Sequence, residues 1–115
     1  MPTFAVRASG VTMEPEELDR AQVVSGDPRT AAAMLWESED GRILRGVWEC
    51  TPGVATDVEQ DELFVILQGR ATVEVEGGSR LELEPGVVGV LERSARTRWS
   101  VQETIRKVFQ ITLPD

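Results

Sequence analysis

Asp57, Glu59, Asp61 and Glu62 crowd into the start of the stretch ATDVEQDELFVILQG, residues 55–69. Carboxylates so close together have two chemical uses. Calcium, magnesium and manganese accept oxygen ligands, so the group could hold a weakly bound divalent ion. A single carboxyl drawn out of water could instead act as a general acid or base. Strand alternation turns 57, 59 and 61 one way and 62 the other, unless the chain bends. The plainer expectation is a solvated acidic loop. Zinc, iron, copper and nickel sites lean on imidazole or thiolate. This sequence has no histidine and one cysteine, so no such metal is expected and no cofactor is predicted. Cys50 lacks any neighbour in sequence that would activate it, and it reads as a buried structural thiol.

Other residues could bind a ligand. Trp48 and Trp99 fall on expected strands, where they fill core or offer a flat platform to a planar molecule. Thr97 and Trp99 share one face of a strand, and Arg96 and Arg98 share the other. One of the two arginines could grip a ligand carboxylate with its planar fork. Eleven of the twelve basic side chains are Arg and only Lys107 is Lys, through composition bias or for recognition of an anion.

The elements that must position these residues are mostly strands. ILRGVWEC reads as a strand with Gly46 at a bulge. DELFVILQG and ATVEVE follow, and RLELEPG returns as the second half of a hairpin. VVGVLE, TRWSVQ and RKVFQITL complete the set. ECTPG and ELEPG form a faint repeat, each a Pro-Gly turn that launches an apolar strand. The row Glu74, Glu76, Glu82 and Glu84 marks a wet face. Residues 1–40 read as an extension packed on the main body, with at most a short helix over residues 15–22 beginning at Pro15. Residues 41–115, short strands at regular spacing between glycine turns, read as a sandwich or barrel. In DELFVILQG both faces are apolar beyond the first position, so the outer face needs a cover, either the extension or a second copy in a homodimer.

Charge and hydropathy exclude some partners. Net charge is −8, which repels nucleic-acid phosphates and anionic lipid. No segment approaches the ~20 apolar residues of a membrane span. The start, MPTFAVRASG, carries no secretion-like apolar run, so a cytoplasmic location is expected.

The pieces GVWECTPG, DELFVILQGRATVEVEGG, LELEPGVVGVLERSARTRW and WSVQETIRKVFQI resemble a small single-domain cupin. They are most similar to the ureidoglycine aminohydrolase-like and ethanolamine-utilisation-type branch. Trp99, Arg106, Lys107 and Phe109 carry the most branch-specific part. The resemblance spans residues 46–111 and implies an all-β fold, a jelly-roll double-stranded β-helix barrel open at one end. The usual first motif pairs two histidines with a Glu and, seven residues on, a Gly. Glu62 and Gly69 keep the last two, whereas the histidine positions fall among residues 55–58 without a ligand pair. The histidine of the second motif falls at Thr97.

The resemblance also implies that Glu62 points into the barrel beside Phe64, as a candidate catalytic acid or base. Trp48, Phe64, Thr97, Trp99 and either Arg96 or Arg98 would line the site. The leading expectation is metal-independent binding of a small polar or anionic metabolite. An enzyme acting on a C–N bond and a non-catalytic assembly protein are the alternatives.

Overall fold

The run from Arg96 to Thr112 forms one strand of 17 residues, where the sequence predicts two. Its inward positions keep one alternation through Thr97, Trp99, Val101, Ile105, Lys107 and Phe109, interrupted only by the exposed Glu103, while the register with β6 slips alongside. The strand therefore bends without breaking. It is the last of nine strands in a computed structural model that describes residues 3–115. In order these are β1 (Glu14–Glu16), β2 (Val23–Gly26), β3 (Thr30–Glu37), β4 (Ile43–Cys50), β5 (Gly53–Val58), β6 (Asp61–Val75), β7 (Arg80–Leu83), β8 (Val88–Leu91) and β9 (Arg96–Thr112).

Every pairing is antiparallel. The second half of β9 lies between β4 and the start of β6, and its first half lies between β5 and the end of β6. β6 carries β8 on its first half and β7 on its second. Two long bent strands thus cross the molecule side by side, and the shorter ones curl round them into the expected β-barrel. The register slips where both bend, between Ile66 and Ala71. Gly69 sits there at φ +89°, and a Cβ on it would collide with the Thr104 carbonyl. This is the physical need behind the glycine that ends the Glu-x6-Gly stretch.

Local sequence explains most elements. ILRGVWEC forms β4 as expected, but the irregularity lies across from it. The register slips between Met34 and Trp36 on β3, opposite Gly46 and Arg45. Gly46 is required for another reason, since a Cβ would press on the Ala33 carbonyl and the Phe109 ring. The helix expected over residues 15–22 does not form. Pro15 lies instead in β1, whose Glu14–Glu16 pair with Thr30–Ala32 at the sheet edge. An edge strand tolerates a residue without an N–H. Only a single 3-10 turn, Arg20–Gln22, follows, capped by the Asp19 carboxylate accepting from the Ala21 N–H at 2.9 Å.

The core lines the barrel. Val47, Phe64, Ile66, Val73 and Ile105 are almost fully enclosed, each worth ~1.5–3 kcal/mol relative to exposure. Glu74, Glu76, Glu82 and Glu84 are exposed, as their alternation predicts.

Candidate functional site

The barrel opens into a cavity of about 390 Å³, lined by residues from β3, β4, β5, β6 and β9. Cross-strand register assembles its walls. Trp48 on β4 stands opposite Lys107 on β9, Ala55 opposite Trp99, and Asp57 opposite Thr97. β6 supplies Glu62, and the next inward residues, Phe64 and Ile66, belong to the packed core. Residues paired across antiparallel strands share a face, so these side chains converge.

At the floor, Lys107 Nζ lies 2.6 Å from Glu62 Oε2, with side-chain exposures of 8% and 4%. The contact is a close ion pair with skewed geometry, since Oε2 accepts no well-aligned hydrogen bond. Three rings surround the ammonium. Its distances to the ring centres are 4.5 Å for Trp48, 4.8 Å for Trp99 and 5.0 Å for Phe64. Trp48 and Trp99 meet edge to face, with centres 5.5 Å apart. Such a cage holds a cation at ~0.5–2 kcal/mol per ring. Burial pushes the Glu62 carboxyl above its usual range, against the opposing pull of Lys107.

Above this pair stands a second carboxylate. Glu59 is 6% exposed and accepts hydrogen bonds from the Thr97 hydroxyl at 2.6 Å and the Trp99 indole at 3.0 Å. Asp57 stands at the rim. Partial burial first, and the neighbouring Glu59 charge second, push its pKa up to about 6. More than a third of the residue faces water, which screens part of that push. Cys50 also lines the cavity, and burial raises its thiol to about 11, which leaves it unreactive.

The site differs from the sequence expectation in three respects. The acidic loop is solvated at Asp61, which accepts the Arg93 N–H at 2.9 Å, but not at Glu59. The chain bends between the end of β5 and the start of β6, so Glu59 and Glu62 both turn inward and strict alternation fails. Of the ligand residues expected, Trp48 and Trp99 line the cavity with Glu62, while Phe64 and Thr97 reach it only through their contacts with Lys107 and Glu59. Arg96 and Arg98 do not join them. Both are exposed on the outer side of β9, beside Glu74 and Glu76, because Thr97 and Trp99 take the inner face. Lys107 was missed as a site residue. Its signal was its rarity and its even spacing from Ile105 and Phe109.

The residues present do not fit a divalent metal. Among the described residues no three of His, Cys, Asp or Glu converge on one point. The best carboxylate, Glu62, already holds an ammonium, and a metal there would face that charge directly.

A curled antiparallel barrel with this inward Glu defines a small cupin. A family model for the EutQ-like cupin domain matches residues 37–109, and the chain belongs to that family. A Pseudomonas syringae pv. tomato protein of unknown function superposes with a TM-score of 0.79 at 24% identity, covering 90% of this chain and 45% of that one. The chain thus spans less than half the length of that neighbour. A putative ethanolamine utilization protein Q from Salmonella typhimurium gives 0.65 at 16% identity, covering 76% and 72%. A predicted oxalate decarboxylase from Thermotoga maritima gives 0.67 at 17%, covering 96% and 100%. No match was found among curated proteins.

Proposed function

We propose that the barrel binds a small, donor-rich polar metabolite without a metal. The carrying observation is charge balance. Asp57, Glu59 and Glu62 line the cavity against the single ammonium of Lys107. Gln60 adds a buried carbonyl oxygen without a hydrogen-bond partner. A cavity with surplus acceptors favours amine, amide or guanidinium groups, and Trp48 and Trp99 supply flat apolar walls. The anionic ligand anticipated from Arg96 and Arg98 loses its support, since both lie outside. A dianion such as oxalate is disfavoured on the same ground.

A thermal-shift panel tests this. Ethanolamine, glycinamide and guanidine should raise the melting temperature, and acetate and oxalate should not. Stabilisation by the anions alone would end the reading. One observation favours the alternative of an enzyme acting on a C–N bond: Asp57, at about 6, can exchange a proton near neutral pH at the rim. An Asp57→Asn variant that keeps ligand binding but loses turnover of a ureido substrate would favour it.

A further inference from the structure

The chain places Arg at eleven basic positions and Lys at one. That one lies inside the cavity, 6% exposed. Its neighbour in sequence shows what this protein uses for a structural ion pair. Arg106 donates from Nε and Nη2 to Glu49 Oε1, at 3.3 and 2.9 Å, and from Nη1 to the Ala8 carbonyl at 3.1 Å. Composition bias therefore explains the arginines but not the exception beside them. The two side chains differ in one chemical respect. A guanidinium keeps its proton in a protein, whereas an ammonium can release one and become a nucleophilic amine. A carboxylate stands at 2.6 Å to receive that proton, and the rings of Trp48, Phe64 and Trp99 exclude water around it.

We propose that Lys107 is the amine of a Schiff-base centre, condensing with the carbonyl carbon of a small uncharged aldehyde or ketone that carries hydroxyl or amino groups. The inference rests on the cavity being a ligand site, as argued above, and adds the functional group that reacts there. Glu62 takes one proton from the Lys107 ammonium. The freed Nζ lone pair forms a bond to the carbonyl carbon, the C=O π pair moves to oxygen, and a proton transferred from nitrogen gives a neutral carbinolamine. Glu62 returns its proton to the hydroxyl oxygen, the C–O bond breaks and water leaves. The net change is ammonium plus carbonyl to protonated imine plus water, with no oxidant or reductant. Acceptors on Asp57 and Glu59 would orient the donors of the bound molecule.

The test uses the untagged protein with dihydroxyacetone and sodium cyanoborohydride, which reduces an imine to a stable secondary amine. Lys107 is the only lysine, so the α-amino group at the start of the chain is a built-in reference. Peptide mass spectrometry should find Lys107 labelled at least about tenfold faster than the α-amine, as a desolvated, positioned amine requires. The preference should vanish in denaturant. Glu62→Gln should slow labelling at Lys107 and leave the α-amine rate alone. The wild-type ratio decides by itself, whether or not that variant folds. Labelling of Lys107 no faster than the α-amine, or none at all, overturns the proposal. If ethanolamine still stabilises that protein, the binding reading survives without the imine.

Discussion

The two faces of β6 differ sharply although both are largely apolar. The inner face holds Glu62, Phe64 and Ile66, each under a tenth exposed. The outer face holds Leu63, Val65 and Leu67, at 48%, 37% and 37%. β8 repeats the contrast. Its inward Gly89 leaves room for Phe64, whose ring a Cβ would strike, while Val88 and Val90 are 61% and 70% exposed. Register joins the outer residues into one patch, with Leu63 opposite Val90 and Val65 opposite Val88. Hydrophobicity alone therefore does not distinguish the faces. The inner face carries a buried charge that must be matched, whereas Leu63, Val65 and Leu67 on the outer face carry none and its Asp61 stays in water.

The largest test of that contrast is the ion pair. Glu62→Leu or Lys107→Met alone strands a buried charge, and each should cost ~3–5 kcal/mol. The double variant should recover most of the loss, because two apolar side chains replace a matched pair. Urea denaturation measures all three. A double variant as unstable as the worse single one would show that the pair does not act as a unit.

On the outer face we propose that a second copy of the chain covers the patch. Val88→Glu with Val90→Glu should then convert a homodimer to a monomer in light scattering. If the wild type is already monomeric at micromolar concentration, the proposal fails. The monomer fold itself should move by no more than ~0.5 kcal/mol, as surface changes usually do.

The smallest effect lies at the rim. The folded pKa of Asp57, about 6, is raised above its ordinary value of 3.8. Its contribution to stability is therefore fully present below pH 3.8 and lost as pH rises through about 6. Asp57→Asn should raise the melting temperature at pH 7.5 by about 3 °C and change it little at pH 4. An equal gain at both values would assign the effect to something other than this proton.

Sequence alone revealed the strands because their signals are local, and the resemblance chose the barrel over a sandwich. Alternation in RLEL and ATVEVE, turn residues around Gly53 and Gly86, and the apolar run of β6 over residues 63–67 each act within a few residues. It misread residues 15–22, where acids after Pro15 imitate a helix start, because an edge strand's tolerance for proline depends on a partner 16 positions away, Ala31. It left AAAMLW unassigned, since alanine carries little strand preference and β3 owes its form to β4. Within the site, the shared face of Thr97 and Trp99 was legible by alternation, and the inward Glu62 beside Phe64 came from the resemblance. Glu59 was hidden by the bend before Asp61. Lys107 was hidden because its partners, Glu62 and Trp48, come from strands that meet β9 only in three dimensions.

The central position of β9 has a consequence for how the protein is made. β4, β5 and β6 all take their neighbour from residues 96–112. A chain leaving the ribosome must hold three strand edges without that neighbour until this segment emerges, and the late segment also brings Lys107 and Trp99. Glu62 and Glu59 wait in a half-built wall, still in water, and receive their partners together in the closing step. The polar floor is thus desolvated only when its counter-charge arrives, so synthesis order spares the nascent chain a lone buried carboxylate.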